Sequence, residues 1–191
     1  MLSWGTIITA AALAISGTDP AHAQSAIDRL QPIVESSARR LAIAEQVALA
    51  KWDTGTAVED VPREEQVIAD AIKTGKSRGL SETLIASFFK AQMEANKMVQ
   101  YSLLAEWRRA GTAPAHSPID LVHKIRPELD RLQTELLAEL AETAPTRAST
   151  TCLTDVAKAV GKYIATHTQV RLPVAIALDR SLAAACPVST H

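Results

Sequence analysis

Aromatic residues make up only 4% of this 191-residue chain, glycine occurs seven times and cysteine twice. With so few glycines there is no Gly-rich loop to cradle a phosphate. Two thiols and five scattered histidines (His22, His116, His123, His167 and His191) lack the spacing of a metal site, so no metal is expected. The formal net charge is −1, which supplies neither the basic excess that nucleic acid calls for nor an acidic tail. Ser/His/Asp catalysis needs a strained elbow or an oriented triad, and nothing in the chain suggests one. Glu65 and Glu106 fit solvated helix faces better than a catalytic carboxylate pair. No segment has a convincing strand alternation.

The one long apolar run, Thr6–Gly17, is followed by Asp19-Pro20-Ala21-His22-Ala23. A short hydrophobic stretch ending in Ala-x-Ala is the pattern of a cleaved export signal, with the cut after Ala23. About a dozen apolar residues cannot span a bilayer, so no membrane association is expected after cleavage. The domains are thus 1–23, a leader, and 24–191, a mature chain of about 168 residues, enough for one domain with a real core. Periplasmic or secreted location follows. In an oxidising compartment the even pair Cys152 and Cys186 reads as a disulfide, closing a loop worth roughly 3–4 kcal/mol in the chain-entropy model.

What fills the chain is helical periodicity. The pattern predicts a helix over Pro32–Trp52, with Pro32 in its first turn. A second runs from an N-cap at Asp60, with Pro62 just inside, to Ser77, and Gly79 stops it. Ser81 caps a third that extends to about Arg109, before the loop 111–116. Ser117-Pro118 opens a fourth stretch with the stripe Leu129, Leu132, Leu136 and Leu140, broken or kinked at Pro127. After a loop at Thr143–Thr150 come two shorter helices, about Thr151–Thr168 and Leu172–Ala185. The expected fold is all-α, a single-domain bundle of about six helices with a disulfide-linked C-terminal helix pair.

Two residues of the third helix break its pattern. Its stripe reads Phe89, Met93, Asn96, Gln100, Leu103/Leu104 and Trp107, so two amides one turn apart point where apolar side chains belong. Burying an amide without a partner costs a few kcal/mol, so the partner is another side chain, water or a ligand. Cations are misplaced too. Arg40 and Lys51 are eleven residues apart, three turns plus about 20° of rotation, and share the inward face with Ile33, Ala44 and Val47. Arg63 sits in the first turn of the second helix, where free N–H groups favour an anion, and Arg126 borders the Leu129/Leu136 stripe. Singly, each cation fits a snorkelling edge residue, and the amides fit a satisfied core pair. Together, with Asp60 and Glu64 too few to neutralise them, they imply a missing anionic partner. A small molecule with two carboxylates fits.

These residues resemble the all-helical chorismate mutases: Arg40, Lys51 eleven later, Asp60 and Arg63-Glu64 soon after, then Asn96 and Gln100 on a distant helix. The leader, the stretches Ala50-Lys51-Trp52 and Gln100-Tyr101-Ser102, the extra C-terminal helices and the cysteine pair are similar to the exported (gamma) subclass. The resemblance implies rearrangement of chorismate to prephenate with no cofactor and no covalent intermediate. It assigns Arg40, Arg63 and Arg126 to the two substrate carboxylates, Lys51 and Gln100 to the ether oxygen, and Glu64 to the substrate hydroxyl. Asn96 would contact a carboxylate or support the pocket, and Asp60 would help line it. The resemblance also implies a homodimer with a complete site in each protomer, and Arg126 coming from the same chain. Some exported members carry Gln where this chain has Val67. The competing reading is a non-catalytic periplasmic helical protein that binds a dicarboxylate or a protein partner. It would keep the arginines without needing Lys51 and Gln100 to meet at one atom.

Overall fold

The computed structural model describes residues 20–187 of the chain. Most of the expected leader, residues 1–19, lies outside the described residues, and a cut after Ala23 would trim only the first turn of the first helix. Seven α-helices and one π turn make up the described fold, with no strand among the described residues. In order they are α1 (Pro20–Thr54), α2 (Val61–Lys76), α3 (Glu82–Ala110), the π turn Leu121–Ile125, α4 (Arg126–Glu142), α5 (Ala144–Arg147), α6 (Cys152–Thr166) and α7 (Leu172–Leu182).

The local signals explain most boundaries. Asp60 caps α2 by accepting from the Arg63 amide at 3.2 Å, and Ser81 caps α3 by accepting from the Leu84 amide at 3.3 Å. Gly111, at φ +75°, ends α3 in the left-handed conformation that glycine adopts without steric cost.

Three expected boundaries need correction, and the break expected at Pro127 is present. Pro32 lies well inside α1, not in its first turn. The preceding turns hold because tertiary packing outweighs one lost amide: Leu30 is fully buried, Gln31 Nε2 donates to the Ala159 carbonyl at 3.0 Å, and Lys162 Nζ donates to Asp28 at 2.7 Å. The fourth helical stretch opens at Asp120 rather than at Ser117-Pro118, because the Asp120 carboxylate accepts from the amides of Val122 and His123 at 3.1 and 2.8 Å. The break expected at Pro127 takes the form of the π turn that hands over to α4 at Arg126. Finally, 143–150 is not wholly a loop, and the helix count rises from six to seven. The short α5 forms where Arg147 plugs in, donating to the carbonyls of Leu140 and Ala185 at 2.7 and 2.6 Å.

α3 is the central helix, packed on α1, α2 and α7, while α1 also carries α4 and α6. Phe88, Phe89, Ile33, Leu136, Leu140 and Leu178 form the dry centre. Gln92 is a polar exception within it. It is fully buried, with Nε2 donating to Ser37 Oγ at 2.8 Å and to the Ser181 carbonyl at 3.1 Å, while its Oε1 has no partner. α1 and α3 run side by side to the edge-on pair Trp52–Trp107, with ring centroids 6.0 Å apart. At the other side of the fold, Cys152 and Cys186 form the expected disulfide between the start of α6 and the segment after α7.

Candidate active site

The loops that end α1 and precede α4 leave a cavity of about 160 Å³ between α1, α2, α3 and α4. All eight residues singled out in the sequence (Arg40, Lys51, Asp60, Arg63, Glu64, Asn96, Gln100 and Arg126) line it. Helix geometry explains how. α1 contributes Arg40 and Lys51 from one face, and the capped first turn of α2 presents Arg63 and Glu64. α3 offers its two amides, and the π turn delivers Arg126 to the rim, where it is exposed.

Arg40 is the deepest cation, 6% exposed. Its Nη1 donates to the Leu129 carbonyl at 3.4 Å, and its Nε has no partner. Burial holds its pKa down to about 10, with Asp130 opposing and Arg63 reinforcing the shift. The two amides partly satisfy each other: Gln100 Nε2 donates to Asn96 Oδ1 at 2.7 Å, and Asn96 Nδ2 donates to the Arg40 carbonyl at 3.0 Å. The pair is incomplete as a core network, because Gln100 Oε1 is buried without a partner.

Lys51 is half-buried, and its Nζ donates to the Val58 carbonyl at 2.6 Å. Desolvation lowers its pKa, against the pull of Asp60, Glu59 and Glu64. Arg63 reaches Gln66 at 3.1 Å and Asp130 at 3.5 Å. Arg126 makes no ion pair among the described residues.

Several lining groups were not foreseen. Lys97 bridges Glu64 and Glu94 at 3.2 and 2.9 Å, and its Glu94 partner three residues earlier is the signature of a solvated face. Asp130 and the Val58 carbonyl carried no sequence signal. Gln133 did carry one, as a polar residue within the leucine stripe of the fourth helix, the same kind of signal that marked Asn96. Counting the lining side chains, five cations (Arg40, Lys51, Arg63, Lys97 and Arg126) face three carboxylates (Asp60, Glu64 and Asp130), an excess of two positive charges. Val47, Val67, Met93, Ile125 and Leu129 supply apolar wall between them.

A doubly cationic cavity with fixed amide donors defines a helical binding or catalytic site for a dianion. Comparison with known proteins places it in a family. Residues 24–101 match the family "Chorismate mutase type II". The chain is 31% identical over 153 residues to the secreted chorismate mutase of Mycolicibacterium smegmatis, covering 80% of this chain and 83% of that protein. The crystal structure of chorismate mutase from Burkholderia phymatum superposes with a TM-score of 0.82 at 43% identity, covering 85% of this chain and 99% of that one. The Burkholderia thailandensis chorismate mutase gives 0.78 at 34% identity, with coverage of 83% and 99%. The chain belongs to the chorismate mutases, intramolecular isomerases of the all-helical type.

Proposed function

We propose that this chain converts chorismate to prephenate outside the cytoplasm, at the cavity between α1, α2, α3 and α4. The observation that carries the reading is the excess of two cations in that cavity, which matches the two carboxylates of the substrate. The secreted relative supports the location, and no helix among the described residues is long and apolar enough to cross a membrane.

The reaction is a [3,3]-sigmatropic shift: one C–O bond breaks and one C–C bond forms within a single molecule, and no proton moves. Such a step needs a folded substrate conformer and stabilisation of the ether oxygen as it gains negative charge. Arg40, Arg63 and Arg126 hold the carboxylates and so select the compact conformer. Lys51 and Gln100 donate to the ether oxygen. Both have hydrogens to spare, because an ammonium carries three and Val58 takes one, while the Gln100 amide carries two and Asn96 takes one. Glu64, held by Lys97, accepts from the substrate hydroxyl, and Asn96 fixes the Gln100 amide while Asp60 holds the turn that presents Arg63. No cofactor takes part. The dimer implied by the resemblance would carry one complete site per protomer.

The test is the loss of chorismate absorbance when purified protein from Gln24 onward is added, with Lys51→Ala in parallel. Turnover by the wild type and its collapse in the variant are expected. Tight chorismate binding without turnover would identify a dicarboxylate-binding protein instead.

A further inference from the structure

Gln133 stands apart from every other buried amide of the fold. It is 8% exposed and lines the cavity, yet its carboxamide makes no hydrogen bond to any described residue. A core amide kept only for packing looks like Gln92, which uses Nε2 twice, on Ser37 and Ser181. Unlike Gln92 Oε1 and Gln100 Oε1, its polar atoms are not sealed in the interior, so the whole carboxamide opens on the cavity, where a ligand can supply its partner.

Its position says which part of the ligand. Gln133 lies one helical turn beyond Leu129, on the same face of α4, and the Leu129 carbonyl is 3.4 Å from Arg40 Nη1. Asp130, three residues before it, meets Arg63 at 3.5 Å. Along α4, Gln133 therefore lies within about one turn of the points where both arginines reach that helix. Beyond its first turn, α2 lines the cavity with Val67, which offers no donor.

We infer that Gln133 is a further substrate-binding residue: its Nε2 donates to the carboxylate held by Arg40, as a neutral member of the clamp. This rests on the proposed chorismate mutase reading of the cavity. A neutral donor there adds affinity without adding charge, so the cavity's excess of two cations stays matched to a dianion.

The experiment compares wild type, Gln133→Met and Gln133→Glu, by turnover of chorismate and by calorimetric titration with the product prephenate, a dicarboxylate that does not react further in the site. Methionine keeps the length and fills the space but cannot donate. Melting temperatures confirm that both variants fold; if one does not, the other decides. Gln133→Met should raise KM and the prephenate Kd about tenfold while kcat stays within about twofold. Gln133→Glu should raise both further near neutrality, and the defect should shrink as the pH falls and the new carboxyl protonates, a pH profile that a packing role would not produce. Wild-type KM and Kd in Gln133→Met, or a pH profile for Gln133→Glu parallel to wild type, would overturn the inference while leaving the mutase reading intact. A wild type that binds prephenate but turns nothing over would refute the mutase reading and leave the Gln133 contact to be judged by Kd. A wild type that does neither would remove both.

Discussion

The ammonium of Lys51 is tied to the backbone carbonyl of Val58, 2.6 Å away, across the loop that joins α1 to α2. That single bond orients the lysine at the end of a long helix and leaves its remaining hydrogens directed at whatever enters the cavity. Positioning before the substrate arrives is what makes a donor effective on charge that exists only in the transition state. Lys51→Ala is therefore expected to lower kcat by about 10²–10³-fold, the typical cost of losing one preorganised donor, with a smaller change in KM. Steady-state kinetics of the purified variant measure this directly, and an active Lys51→Ala protein would take the residue out of the mechanism.

The alkaline side of the pH profile follows from two cations. Burial lowers the pKa of Lys51 and holds that of Arg40 down to about 10. For a base whose pKa is lowered, the charged form is lost as pH rises through the shifted value, earlier than for a free side chain. Both charges favour the dianion, so kcat/KM, which reports the free enzyme, should fall from below pH 10 with a slope steeper than one proton. The same variant that removes Lys51 should leave a shallower limb. A flat profile to pH 10 would contradict it.

The three arginines should not behave alike. Arg40 is buried and its Nε has no partner, so Arg40→Ala should weaken binding by about 2–5 kcal/mol. Arg63 is partly buried and shares Asp130, and an intermediate loss is expected there. Arg126 is exposed at the rim, where solvent and salt screen it. Arg126→Ala should raise KM only several-fold, and more at low ionic strength than at high. Wild-type kinetics from this variant at low salt would mean that another group, such as Arg131 or a residue of a second protomer, meets that carboxylate.

Which parts of this site could be read from the chain follows from how each residue announces itself. Asn96 and Gln100 were legible because amides stood in an apolar helical stripe, and Arg40 and Lys51 because cations stood on an inward face. Arg63 was legible through the Asp60 cap that fixes where α2 begins. Lys97 was not, because an i,i+3 partner at Glu94 disguises it as surface. The Val58 carbonyl was beyond reach, since backbone groups carry no sequence mark. In the fold, Pro32 misled the reading of α1 because the packing that tolerates it, with Gln31 and Asp28 bonded to α6, joins residues more than a hundred positions apart. Arg147 was missed for a similar reason: its buried guanidinium is satisfied by carbonyls of Leu140 and Ala185, from two separate segments.

The disulfide lies away from the cavity, and its removal should separate stability from activity. Cys152→Ser/Cys186→Ser should lose about 3–4 kcal/mol of stability, read as a lower denaturation midpoint, while kcat at low temperature stays close to wild type. Native, unreduced protein should resist alkylation at both positions, which are 3% and 6% exposed, and react only after denaturation with reductant. Rapid labelling of the native protein would contradict the pairing.

The last prediction turns on how many hydrogens a side chain at position 100 can share. The Gln100 amide gives one to Asn96 Oδ1, at 2.7 Å, and keeps one for the ether oxygen. It does not titrate, so this division holds at any ordinary pH. Gln100→Glu keeps the size but supplies a single hydrogen, and only when the carboxyl is protonated. The ionised form would set a negative oxygen against both Asn96 Oδ1 and the ether oxygen as charge builds there. Burial and the Asn96 oxygen favour the protonated form, whereas Lys51 favours the ionised one. The variant should therefore be most active in acid, below wild type even there because its one hydrogen has two claimants, and should lose kcat progressively toward neutral pH. Wild type should show no such loss over the same range. Parallel kcat profiles for the two proteins would show that Gln100 does not serve the ether oxygen, and the geometry proposed for the reaction would have to be abandoned.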